Sequence, residues 1–101
     1  MGYHLCTHFI NAFDIIGKKW NGLIINSLCD NKFIRFKVLA RIVTDCSDRV
    51  LVERLKELEE EGIVVRKVDP ETKIISYGLT QKGVELKPVF ESIHQWANKW
   101  V

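Results

Sequence analysis

For most of its length this chain repeats its apolar residues at helical spacing, then switches briefly to a two-residue period. Phe9, Ala12, Phe13 and Ile16 share one helical face before Gly17 interrupts it. A second helix is predicted from about Lys18 to Leu28, with Trp20, Leu23, Ile24 and Leu28 on one stripe and Asp30-Asn31 closing it. Residues 33–35 are predicted as a short strand leading into a third helix, where Phe36, Leu39, Ala40 and Val43 share a face. After the polar link Thr44-Asp45-Cys46, Ser47 suits an N-cap. Its hydroxyl can accept from an unpaired first-turn amide, and Asp48 complements the positive end of the helix dipole. The helix it opens carries Leu51, Leu55 and Leu58 at spacings of four and three. Gly62 is suited to the left-handed conformation that ends a helix.

The pattern then becomes β-rich. Ile63 to Val68 and Ile74 to Leu79, joined by Asp69-Pro70-Glu71-Thr72-Lys73, predict a two-stranded hairpin. Thr80 is expected to cap one final helix with Leu86, Val89, Phe90, Ile93, Ala97 and Trp100 on its apolar stripe, kinked at Pro88. Helix, helix, short strand, helix, tight turn, helix, hairpin is the order of a winged helix-turn-helix. The expected fold is mainly α with a small β-hairpin wing (α+β), in a single domain over residues 1–101 with dimerisation helices at both ends.

This layout gives the helix from Ser47 to Glu61 a candidate task. With its leucines inward, a step of about 100° per residue turns Arg49, Val52, Glu53 and Lys56 outward, as a major-groove reader requires. The planar fork of Arg49 matches guanine N7 and O6, Glu53 can accept from cytosine N4, and Val52 can touch a thymine methyl. Ser47 and the amides beside it suit a phosphate oxygen, and Asp48 is counted with them. Arg66, Lys67 and Lys73 put positive charge on the projecting hairpin, and Arg35 and Lys37 do so at the entry to the third helix. Any amphipathic surface helix has a charged outer face, so these charges alone also fit a solvated surface. Glu57 to Glu61 read as solvated charges directed away from DNA.

Composition narrows the classes. The 101 residues carry a net charge of +2, which argues against a histone-like binder. Residues 1–46 nevertheless hold Lys18, Lys19, Lys32, Arg35, Lys37 and Arg41 against only Asp14, Asp30 and Asp45. No apolar run approaches the roughly 20 residues that span a bilayer, and the N-terminus lacks a secretory pattern, so a cytoplasmic protein is expected. Three cysteines without CxxC spacing suit a reducing compartment rather than a disulfide framework. His4, Cys6 and His8 form too loose a cluster for zinc, and no metal or cofactor is expected. Nor does any Ser/His/Asp grouping, phosphate-cradling loop or paired carboxylate suggest an enzyme.

Cys6 lies in a leader between His4 and His8, where an imidazolium or helix N-terminus would favour the reactive thiolate. Cys29, at a helix end, and Cys46, packing the turn, read as structural. A domain this small buries only roughly 60–65% of its unfolded surface. Trp96 and Trp100, on or beside the last apolar stripe, therefore suggest a seam with a second copy, whereas Trp20, Phe36 and Tyr77 read as core.

Several stretches carry a resemblance in combination. They are Ala12-Phe13, Gly17-Lys18-Lys19-Trp20-Asn21-Gly22-Leu23-Ile24-Ile25, Arg35-Phe36-Lys37, Glu53-Arg54-Leu55-Lys56-Glu57-Leu58-Glu59, Gly62-Ile63-Val64, Pro70-Glu71-Thr72, Tyr77 with Leu79-Thr80, and Trp96-Ala97. On these the chain resembles the HxlR family of bacterial winged-helix regulators (MarR/HxlR-like), and within it the YodB-like branch that senses quinones and other thiol-reactive electrophiles. The resemblance implies a homodimer built from the first and last helices, with Phe9, Phe13, Val89, Phe90, Ile93, Trp96 and Trp100 at its interface. It also implies a repressor on a palindromic double-stranded operator, with Cys6 as the thiol that meets an electrophile or quinone. Two departures stand out. Members of this branch often have Ile-Pro-x-Ile/Met-Ser before the reading helix, where this chain has Val43-Thr44-Asp45-Cys46-Ser47. Some also carry a C-terminal cysteine that pairs across the dimer, and no cysteine follows Cys46 here. A winged-helix regulator without redox sensing, and a winged helix that binds protein, remain as alternatives.

Overall fold

Along the described residues, 6–30 and 32–101 of the computed structural model, run α1 (Thr7–Ile16), α2 (Asn21–Cys29), β1 (Ile34–Arg35), α3 (Phe36–Ile42), α4 (Asp48–Glu60), β2 (Val64–Val68), β3 (Ile75–Leu79), α5 (Gln81–Val84) and α6 (Lys87–Trp100). His4, invoked beside Cys6, and Asn31, invoked at a helix end, lie outside the described residues. Local chemistry fixes the ends of α4. Ser47 Oγ accepts from the Val50 amide at 3.2 Å. At the other end Gly62 adopts φ +75°, letting its own amide reach Glu59 O and the Ile63 amide reach Leu58 O, both at 3.0 Å. That pair of bonds satisfies carbonyls the helix leaves open, and only glycine takes this conformation without Cβ strain.

The core is built from Ile24, Ile25 and Leu28 of α2, Leu39 of α3, Leu51, Leu55 and Leu58 of α4, and Val64 and Tyr77 of the sheet. Val43 and Cys46 close it beneath the turn between α3 and α4. This turn and the two helices it joins form the helix-turn-helix, backed by α2 and flanked by the β2–β3 ribbon.

Several expectations are corrected. The predicted two-stranded hairpin is part of a three-stranded antiparallel sheet in the order β1-β3-β2, because Ile34 pairs with Tyr77 and Arg35 with Ser76. Gly78 permits this close approach, since a Cβ there would strike the Lys32 carbonyl and the Phe33 ring. The second helix starts at Asn21 rather than near Lys18, and Leu23, placed on its apolar stripe, is exposed while Ile25 is buried. Thr80 caps the short α5, accepting from the Gly83 amide at 3.2 Å, and not the final helix. The chain turns at Glu85-Leu86 and starts again as α6. There Pro88 occupies the first turn, where its missing N–H costs no bond, and so opens the helix instead of kinking it.

The leucine stripe of α4 should dominate stability. Leu55→Ala is expected to lower the unfolding free energy by about 2–5 kcal/mol. Val52→Ala, on the exposed side of the same helix, should change it by no more than about 0.5 kcal/mol. Urea denaturation at one fixed protomer concentration checks both; equal losses would contradict the observed facing of α4.

Candidate nucleic-acid interface and thiol

Because Leu51, Leu55 and Leu58 are all buried, α4 turns its opposite side to solvent. Arg49, Val52, Glu53 and Lys56 all lie there, exposed, with the Arg49 side chain 90% accessible. Arg49 Nε sits 3.7 Å from Glu53 Oε1, one turn along the helix. An exposed pair of this kind contributes about 0–1 kcal/mol at most, so it does not tie the guanidinium down. Ser47 and Asp48 are exposed at the start of the helix. The Ser47 oxygen is occupied by the Val50 amide, while its hydroxyl proton remains a donor.

The five other candidate cations do not form one cluster. Side chains alternate across a sheet, so the register puts Arg66 on the face of Val64 and Tyr77, and Lys67 on the opposite face with Arg35 and Ser76. On that second face Lys67 Nζ stands 5.2 Å from the Phe33 ring centroid. Arg35 and Lys67 help to line an open groove of about 340 Å³ with Thr72 and Ser76. Lys73 is in the turn at φ +63°, and Lys37 is exposed at the start of α3. Asp69 organises the tip of the ribbon. Its Oδ1 accepts from the Glu71 and Thr72 amides, both at 2.9 Å, and these bonds hold its carboxyl below the usual range.

Cys6 is exposed and forms the N-cap of α1, its Sγ accepting from the Phe9 amide at 3.4 Å. Cys46 is buried and donates to the Ser47 carbonyl at 3.5 Å; Cys29 is half-buried. Burial pushes both of these thiols up, which disfavours the thiolate that electrophiles attack. Among the described residues no group of His, Cys, Asp and Glu could hold a metal ion.

No residue of α1 is buried. Phe9 and Phe13 stack on its surface with ring centroids 5.6 Å apart, exposed by 64% and 56%. Val89, Ile93, Trp96 and Trp100 are likewise exposed on α6. Phe90 departs from the expected interface set. It is only 8% exposed and fills the protomer's own core, with a ring edge close to Gly22 on α2.

One polar cluster escaped the sequence. Glu57, expected to be a solvated charge, bridges two cations: Lys18 Nζ lies 2.7 Å from Oε2, and Arg54 Nη1 lies 3.1 Å from Oε1. Arg54 Nε also donates to the Lys19 carbonyl at 3.3 Å. The hydrogen bond from Lys18 is the main cause holding the Glu57 carboxyl below its ordinary range. These bonds hold the corner between α1 and α2, where Trp20 has φ +80°. A bulky residue in the left-handed region stores on the order of 1–3 kcal/mol and persists only where its surroundings dictate it. The Lys19 ammonium 5.0 Å over the Trp20 ring, and Asn21 Nδ2 donating to Ile15 O at 2.8 Å, add to that enforcement. A charge pair 39 positions apart leaves no periodic or spacing signal in a sequence.

With this geometry in view, comparison with known proteins gives a consistent result. Residues 15–101 match the family model described as HxlR-like helix-turn-helix. The HTH-type transcriptional regulator YodB of Bacillus subtilis (strain 168) is 44% identical over 101 residues, covering 99% of this chain and 89% of that protein. The structure of the reduced form of YodB superposes with a TM-score of 0.83 at 43% identity, covering 96% of this chain and 95% of the other. Quinone-bound YodB gives a TM-score of 0.82 at 42% identity, covering 95% and 100%.

The Glu57 bridge makes stability respond to acid. A carboxyl whose pKa is lowered by folding stabilises the folded state above its ordinary value of 4.5, and that contribution fades as pH falls through the lower folded-state value. Glu57→Gln should therefore destabilise the protein at pH 7 and show a smaller deficit against wild type at pH 3. Urea midpoints at the two pH values measure this, and an equal deficit at both would contradict it.

Proposed function

Since this chain belongs to the HxlR-like helix-turn-helix family of transcription regulators, which are not enzymes, we propose that it is a homodimeric, sequence-specific DNA-binding repressor that is released when an electrophile or oxidant modifies Cys6. The observation that carries the reading is the outer face of α4. Arg49, Val52, Glu53 and Lys56 are exposed on a helix pinned from behind by three buried leucines. Arg49 and Glu53 read base edges, Val52 meets a thymine methyl, and Lys56 meets the backbone. Ser47 and the first-turn amides, with Asp48 beside them, sit at a phosphate. Arg66 and Lys73 of the wing and Lys37 of α3 contact the flanking backbone, and Arg35 and Lys67 carry positive charge on the other face of the ribbon.

Phe9, Phe13, Val89, Ile93, Trp96 and Trp100 form the seam with a second copy, since α1 and α6 both pack on α2 yet expose these side chains. A two-fold axis through that seam presents two α4 helices to a palindromic operator, with half-sites about 34–36 Å apart. Cys6 supports the switch because it is the exposed cysteine among the described residues and caps the helix that carries Phe9 and Phe13. Its thiolate adds to a ring carbon of a quinone, forming a C–S bond; one quinone oxygen takes a proton from solvent and the hydrogen of the attacked carbon moves to the other oxygen, leaving the thioether-substituted hydroquinone. An oxidant such as diamide would instead join Cys6 to its counterpart across the dimer. Either product changes the first turn of α1 and with it the seam. The crystallised reduced and quinone-bound states of YodB are consistent with such chemistry in a relative.

Gel shifts on a duplex from the promoter upstream of its own gene test the reading. Binding by wild type should weaken steeply between about 50 and 200 mM salt. Arg49→Ala should lose about 1–3 kcal/mol of specific binding. Diamide or a benzoquinone should release wild type, whereas Cys6→Ser should bind as wild type does and stay bound. Binding that ignores Arg49→Ala would remove α4 as the reader, and electrophile release of Cys6→Ser would remove Cys6 as the switch.

A further inference from the structure

No α1 residue is fully buried, its aromatic face points out of the protomer, and Ile15 and Ile16 near its end are the residues that pack on the core. Alongside that packing, the corner after α1 is joined to α4 by polar and specific contacts. Arg54 and Glu57, both on α4, grip the corner that follows α1: Arg54 at the Lys19 carbonyl, Glu57 at the Lys18 ammonium, and the two to each other. Both Glu57 oxygens are engaged, so the carboxylate ties the ammonium before α2 to the guanidinium on α4. The corner itself has its left-handed residue at Trp20, a conformation that switch regions often use because a neighbouring element must enforce it. Beside it lies an open cleft of about 230 Å³, lined by Asp14, Ile15, Lys18, Asn21 and Glu57 among others. Arg54 directly follows Glu53, so the grip falls within the same turns of helix as the outward face.

From this geometry we infer that Lys18, Arg54 and Glu57 are positioning residues that tie the placement of α4 to the placement of α1, so that DNA occupancy and the state of the Cys6 helix bias one another. The inference rests on the DNA-binding reading above and adds the route between its two ends. Such coupling is reciprocal: if modification of Cys6 weakens DNA binding, bound DNA must disfavour modification of Cys6.

That reciprocity supplies a test that needs no knowledge of the natural inducer. The equilibrium by which the Cys6 thiol and oxidised glutathione give the Cys6–glutathione mixed disulfide and reduced glutathione is followed by peptide mass spectrometry in a glutathione buffer, with and without saturating promoter duplex. It is compared among wild type, Lys18→Gln, and the charge-swapped Lys18→Glu/Glu57→Lys pair. The duplex should lower that equilibrium constant in wild type by about fivefold or more, by less than about twofold in Lys18→Gln, and again by severalfold in the swapped pair. Operator affinity of unmodified Lys18→Gln should stay within about threefold of wild type, as expected for an exposed ion pair. Direct shielding of Cys6 by DNA would persist in Lys18→Gln, and an unchanged duplex effect there overturns the linkage while leaving the DNA-binding reading intact. Tight binding to the duplex with no effect on Cys6 in wild type overturns both the linkage and the thiol switch. If wild type binds no promoter DNA, the regulator reading fails and the linkage fails with it. If Lys18→Gln melts as wild type does but no longer binds DNA, the pair builds the interface rather than linking α1 to it, which also overturns the inference. Arg54→Lys, which keeps the charge but loses the fork, should weaken the duplex effect in the same direction.

Discussion

Burial of Leu51, Leu55 and Leu58 fixes the rotation of α4 about its axis, and the candidate contact face, the wing and the corner after α1 are all placed relative to that helix. Each fully buried leucine is worth about 1.5–3 kcal/mol against exposure, whereas the exposed Arg49–Glu53 pair contributes about 0–1 kcal/mol. The apolar side therefore decides which way the helix faces, and the charged side follows. The Ser47 cap and the Gly62 turn set where the helix begins and ends, so its outward residues occupy defined heights. A groove-reading surface needs this combination: a rigid back, and a front whose side chains remain free to choose partners.

The rest of the molecule divides into what supports α4 and what the protomer leaves uncovered. The α2 helix and the three-stranded sheet supply the support. The α1 and α6 helices leave aromatic rings in solvent, a costly arrangement for a chain with so small a core and one that a second copy would relieve. The same arrangement puts Cys6 at the tip of a helix with no fully buried residue, followed by a corner that the ions around Glu57 join to α4.

The α4 helix and its caps were legible in the sequence because their signals are local: leucine spacing, a serine before the first turn, a glycine after the last. What sequence reasoning missed depends on distant partners. The residues of β1 showed a short strand, but their pairing with Tyr77 and Ser76 joins segments far apart in the chain. Phe90 shares a helical stripe with Ile93, and only the position of α2 makes one core and leaves the other exposed. Pro88 was visible as a break, yet a proline fits the first turn of a new helix as readily as a kink in an old one. Lys18, Arg54 and Glu57 are ordinary surface charges until the fold brings them together. Arg66 and Lys67, neighbours in sequence, are separated by the alternation of the strand, so a basic run overstated the charge available to any one partner.

The central claim is that the side of α4 opposite its leucines enters the DNA groove with the wing beside it. Amide chemical-shift mapping of the reduced protein, titrated with promoter duplex, tests this most directly. The largest shifts are expected from Ser47 through Lys56 and in the turn of the wing, with little change at the tryptophans of α6. Shifts centred on α6 or on the far face of the sheet, with α4 unchanged, would contradict it.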